Sequence, residues 1–156
     1  MKIKKKFEPI VAGLSASIII GILAFLSFET SSGFWLMISF GATSLIIFVL
    51  YEKEFAQPGN IFFGHLLGIT IGILFNEFFG MSSLSLALSV GTTVTLMMYF
   101  KIIHPPAAAN PLIALFSDVS FEYIVFPVIT GSIIIIVFAV IINKFILKRN
   151  YPIRWI

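Results

Sequence analysis

The feature that most constrains this chain is the spacing of its charges. Ten basic and seven acidic residues divide the 156 positions into uncharged intervals at 9–28, 30–51, 55–76, 78–100, 102–117 and 123–143. A bilayer core of about 30 Å takes roughly 20 apolar residues of helix. Five of the intervals reach that length. The interval at 102–117 has 16 residues, enough helix for only about 24 Å, and Pro105, Pro106 and Pro111 interrupt it. The spacing therefore predicts an all-α fold, a polytopic transmembrane helical bundle. It would have five full spans plus a short, proline-broken sixth segment at 102–117. Residues 1–156 are expected to form one transmembrane domain, with no soluble domain.

Composition agrees. Charged residues make up 11% of the chain and hydrophobic ones 59%, against about 25% charged in an ordinary soluble domain. That excludes a soluble globule, a disordered tail and a nucleic-acid module. The Lys-rich start followed by an apolar run could be a secretory signal, but the run is long and no small-residue cleavage pattern ends it. With no cysteine, disulfide frameworks, thiolate metal sites and Cys nucleophiles are excluded.

Orientation follows from the positive-inside rule. With the N-terminus in the cytoplasm and six crossings, Lys2, Lys4, Lys5, Lys6, Lys53, Lys101, Lys144, Lys148, Arg149 and Arg154 all fall on the inner side. The outer connections carry Glu29, Glu77, Asp118 and Glu122. Five crossings with a re-entrant 102–117 loop would leave four of the basic residues outside, so the charge pattern favours a sixth passage. The expected location is the cell (inner) membrane, multi-pass, with both termini cytoplasmic.

Two stretches break the apolar pattern. One holds Gln57, Pro58, Gly59 and Asn60, followed by His65. The other runs from His104 through Pro105, Pro106 and Asn110 to Pro111. Proline suits the first helical position and Asn is a good cap, so each stretch resembles a helix start at the membrane. Such ends carry free N–H groups and partial positive charge, which suit an anion. Ordinary capped loops would look the same. A shift of 50 positions overlays Leu36, Ser39, Gly41, Thr43 and Asn60 on Leu86, Ser89, Gly91, Thr93 and Asn110. The match suggests a tandem two-helix repeat with a site between the copies, to which Thr43 and Thr93 would contribute. Small and hydroxyl residues of this kind also serve close helix packing. Gly64, Gly68 and Gly72 form a packing ridge, within or between subunits, and His65 lies beside it.

His65 and His104 are the titratable residues within the spans. Either could attract an anion or relay a proton as a cation, or bond a backbone carbonyl as a neutral ring. There is no HExxH, GxSxG or P-loop, and no paired carboxylates lie in a span. The chain is expected not to be an enzyme, and to need no cofactor and no metal.

The residues HPPAAANPLIAL at 104–115 and AQPGNIFFGHLLG at 56–68 resemble the two signature blocks of the HPP family of integral membrane proteins. The resemblance covers most of the chain and implies membrane transport. Chloroplast and cyanobacterial members are described as nitrite transporters, and some bacterial members carry CBS domains. Gly59 departs from the pattern, which commonly has a basic residue there. The resemblance marks Gln57, Asn60, His65, His104, Pro105, Pro106 and Asn110 as substrate-binding candidates. The expectation is a small permease or channel for an inorganic anion, most plainly nitrite, in contact with the lipid bilayer and without a nucleic-acid partner. It is also expected to be a homo-oligomer. A non-transporting membrane module that docks a partner protein is the alternative.

Overall fold

The structure is a computed structural model that describes residues 5–30 and 33–155, with Lys5 by its backbone only. Six helices follow one another, and no strand occurs among the described residues. Their bounds are α1 (Glu8–Phe28), α2 (Ser39–Val49), α3 (Pro58–Phe79), α4 (Ser83–Tyr99), α5 (Asn110–Ser117) and α6 (Ile124–Ile146). Three of them, α1, α3 and α6, are long and apolar enough to cross a membrane. Helices α2 and α4 are apolar but shorter, at 11 and 17 residues.

Local chemistry explains the boundaries. Pro9 and Pro58 sit in the first turns of α1 and α3, where a missing N–H costs nothing. Ser82 caps α4 by accepting a bond from the Ser85 N–H at 3.1 Å. Helix α2 fills only part of its uncharged interval because α1 holds the chain before it. The Ser27 hydroxyl accepts the Trp35 and Leu36 N–H groups at 2.8 and 3.0 Å, so this stretch runs back along α1 before a helix can start. Helix α6 is broken by a kink near its start, where Phe126 is extended (φ −123°, ψ 116°) just ahead of Pro127, and it closes with a π-helical turn.

Helix α3 is the centre of the bundle, packed against α4, α5 and α6. Its glycine ridge receives the proline-broken segment of the same chain. A Cβ on Gly64 would come within 2.7 Å of the His104 Cβ, and one on Gly72 within 2.6 Å of the Pro111 Cα. One on Gly68 would strike the Ala107 carbonyl oxygen. The ridge is thus an internal seam. The segment runs alongside α3 for most of its length. Asn60 Nδ2 donates to the Ile103 carbonyl at 2.9 Å near one end, and Asn76 Nδ2 donates to Asp118 at 2.6 Å near the other.

The seam is clasped at one end of the bundle. Arg149 donates to the Phe48 carbonyl at 2.7 Å and to Asn143 Oδ1 at 3.0 Å, pairs with Glu8, and lies 4.2 Å from the Tyr51 ring centroid. Beyond it the chain folds back as a strap. The buried Tyr151 donates its hydroxyl to the Ala56 carbonyl at 2.8 Å, and Arg154 pairs with Glu54 at 3.5 Å. These contacts gather the Glu8 end of α1, the Lys53 turn, Lys144, Lys148, Arg149 and Arg154 at the same end of the molecule. Lys2 and Lys4 lie outside the described residues. Large apolar side chains cover the outside, among them Phe25, Ile38, Phe78 and Leu84, with Ile38 85% exposed. Such a surface suits lipid.

Candidate functional site

Five polar side chains from three helices and one loop meet inside this apolar bundle: Ser39 and Thr43 on α2, His65 on α3, His104 just before the Pro105–Ala109 turn, and Asn110 at the start of α5. Thr43, His65, His104 and Asn110 are fully buried, and Ser39 is 5% exposed. His65 stands seven residues into α3, about 10 Å from its start. The geometry of α2 places Ser39 and Thr43 one turn apart on the same face. The bare glycine seam lets His104 reach the same depth.

Each hydrogen position in the cluster can be assigned. His104 Nδ1 lies 2.7 Å from the Phe55 carbonyl oxygen, which can only accept, so Nδ1 carries a proton. A neutral His104 then has a bare Nε2, which accepts the Thr43 hydroxyl at 2.9 Å. Thr43 Oγ1 in turn accepts the Nε2 proton of His65 at 2.9 Å. That leaves His65 Nδ1 as an acceptor, and Asn110 Nδ2 donates to it at 3.1 Å. The second amide proton of Asn110 goes to the His65 carbonyl at 3.0 Å, and Asn110 Oδ1 accepts from Ser39 at 2.8 Å. All five bonds between side chains and to Phe55 point in one direction, and no polar atom of the cluster is left over. The two imidazole centroids are 4.8 Å apart, and Phe40 closes over His65 edge-on at 5.1 Å.

Of the residues singled out in the sequence, the structure brings together Thr43, His65, His104 and Asn110. Pro105 and Pro106 form the turn that follows His104, and Pro106 is buried. Gln57 and Asn60 are buried but serve the strap. Gln57 donates to the Tyr51 and Lys53 carbonyls at 2.8 and 2.9 Å, and its Oε1 accepts the Ile153 N–H at 2.8 Å. Asn60 holds Ile103 and lies 3.4 Å from Arg154. Thr93, the counterpart of Thr43, is buried with its hydroxyl unpartnered, and Ser89, the counterpart of Ser39, bonds its own helix at Leu86. The cluster therefore takes its hydroxyls, Ser39 and Thr43, from the first copy of the 50-residue register and its amide, Asn110, from the second. Ser39 was visible as part of that register, and its spacing from Thr43 could have placed it in the site.

A cavity of about 690 Å³, lined by Ser27, Phe34, Ile38, Asp118 and Tyr123 among others, opens at the end of the bundle away from the strap. A shallower groove of about 390 Å³ runs between α2 and α5, past Pro105 and Pro106, to Ser39. Ile38 and Ser117 line both. The polar cluster thus has an approach at one end and a tied strap at the other.

An all-helical bundle with an apolar exterior and a closed polar centre is an integral membrane protein. The chain belongs to the HPP family: the family's model for the HPP transmembrane region matches residues 2–152. It is similar to two transmembrane proteins of Dictyostelium discoideum. One is 33% identical over 153 residues, covering 91% of this chain and 49% of that protein. The other is 30% identical over 125 residues, covering 75% and 44%. The chain thus spans about half the length of the curated relatives it matches. No solved structure matches it.

Proposed function

We propose that the chain is a small membrane permease for an inorganic anion, with nitrite the first candidate, and that the structure represents its occluded state. The observation that carries this reading is the cluster of Ser39, Thr43, His65, His104 and Asn110. Polar groups at such depth are costly in a bilayer and mark substrate or proton pathways in membrane proteins. The cluster lies between a groove that reaches Ser39 and a strap at the opposite end. Its donors are engaged with one another, so an arriving anion takes over bonds from Thr43, Asn110 or the imidazoles and finds no vacant donors. The anion is favoured over a cation because the cluster offers imidazole, amide and hydroxyl protons and contains no carboxylate. Nitrite as the particular anion rests on the resemblance of the two signature blocks.

In the membrane the chain crosses six times, with the strap end and its basic residues in the cytoplasm. The 102–117 segment makes its passage against the glycine seam, where α3 shields its non-helical part from lipid. The test is flux into proteoliposomes. Nitrite uptake should exceed that of empty vesicles, and His104→Ala should lower it at least tenfold. Uptake equal to empty vesicles for both nitrite and nitrate would sink the proposal.

A further inference from the structure

Thr43 Oγ1 has a third neighbour, the Ser39 carbonyl oxygen at 3.2 Å. Its single proton cannot serve both that oxygen and His104 Nε2 at 2.9 Å. The choice depends on His104. When His104 is neutral, the hydroxyl donates to its bare Nε2. When Nε2 is protonated, the hydroxyl must turn to the Ser39 carbonyl, and Thr43 Oγ1 then accepts from both imidazoles at 2.9 Å. His104 Nδ1 continues to donate to Phe55 in both states. The cluster can therefore take up one proton with every polar atom still paired, by rotation about one C–O bond.

We propose that His104 and Thr43 form a proton-binding site that makes this permease an electroneutral symporter, one proton with one anion. The proposal rests on the transport reading and adds its coupling ion. A proton delivered by water forms a bond to His104 Nε2, and the Thr43 hydroxyl swings from Nε2 to the Ser39 carbonyl. On release that N–H bond breaks, the proton returns to water, and the hydroxyl swings back. The charge of the loaded state is the reason for the stoichiometry. An imidazolium in a fully buried site needs a counter-ion, and the surroundings supply none. The imidazolium meets Thr43 from α2, the Phe55 carbonyl from the 52–57 connection and the other imidazole from α3, and the next groups along, the Asn110 amide from α5 and Ser39, are neutral as well. No ion pair to either ring occurs among the described residues; Glu54 and Arg154 pair with each other. A single anion fills the deficit, and the loaded carrier is neutral as it turns over.

The experiment uses the full chain in vesicles loaded with a pH-reporting dye, at an external pH of about 7.5, with potassium and valinomycin setting the membrane potential. Empty vesicles fix the background from nitrous acid crossing lipid. Nitrite uptake should acidify the lumen mole for mole, follow an imposed pH gradient and ignore the potential. Thr43→Val, which can neither donate nor accept a hydrogen bond at that position, should lose at least nine-tenths of the nitrite-dependent acidification. Thr43→Ser should retain it, which separates a missing hydroxyl from a misfolded protein. Nitrite uptake that follows the potential without acidification would overturn the symport and leave the permease standing. Acidification by Thr43→Val equal to the unmodified chain would overturn the assigned site. Absence of any protein-dependent nitrite uptake would overturn permease and symporter together.

Discussion

The Asn110 side chain shows how tightly single residues are committed at the polar centre. It accepts from Ser39 and donates twice to His65, once to the ring and once to the backbone. Asn110→Ala strands the Ser39 hydroxyl and His65 Nδ1 in the buried interior, whereas the His65 carbonyl keeps its helical partner. A buried polar group left without a partner costs about 1–3 kcal/mol. The variant should therefore melt several degrees lower in detergent, a shift that Asn110→Gln should not correct because the longer side chain moves the amide off its partners. Unchanged melting would mean that water replaces the lost bonds. Sequence marked His65, His104, Asn110 and Thr43 one at a time, from their cost in an apolar span and from the signature blocks. It could not pair them, because the contacts join residues 22 to 71 positions apart. Gln57 shows the reverse. Its motif suggested substrate contact, yet both ends of its amide are used on backbone groups of the strap and the Lys53 turn.

Among the elements, α3 sets the terms for its neighbours. The glycine ridge was legible in the sequence, and so was the shortness of 102–117. That one fits the other was not, because a small-xxx-small ridge serves a neighbour in the same chain as well as one in another subunit. Gly68→Ala pushes a methyl group into the Ala107 carbonyl and tightens the approach to Asn110. Overpacking of this kind costs about 1–3 kcal/mol. It should also weaken transport, because the segment that carries His104 moves away from Thr43. Gly91→Ala, which faces open space on α4, is the matched control and should leave melting temperature and uptake near those of the unmodified chain. Equal effects of the two substitutions on melting would refute the seam. The length of α2 was beyond reach for a different reason. The charge-free interval at 30–51 is long enough to span, but Ser27 captures the Trp35 and Leu36 amides and uses part of it as a return.

For the whole molecule, charge spacing was the most informative signal: it predicted an all-helical chain and a common basic end, although α3 runs on through Glu77 and α6 through Lys144. The structure assembles that end through Arg149 and Arg154. Sidedness is directly measurable because the chain has no cysteine of its own. A cysteine placed at Lys53 should react with an impermeant thiol reagent from the cytoplasmic side of inverted vesicles, and one at Glu77 from the other side. Labelling of both from one side would contradict the six-crossing arrangement. Arg149→Ala removes donors from Phe48 and Asn143 as well as the partner of the partly exposed Glu8. Hydrogen bonds to charged groups contribute about 1.5–3 kcal/mol, and the Glu8 pair adds less because solvent screens it. The variant should show easier proteolysis near both ends of the chain before any loss of the helical signal. The strap also has a bearing on how the protein is made. The amide of Ile153 closes on Gln57, 96 residues earlier in the chain. A ribosome has joined Gln57, His65 and His104 to the chain well before Tyr151 and Ile153 exist. During synthesis the polar centre must wait with one wall unfinished, and it becomes sealed only once residues 151–155 have been made and folded back.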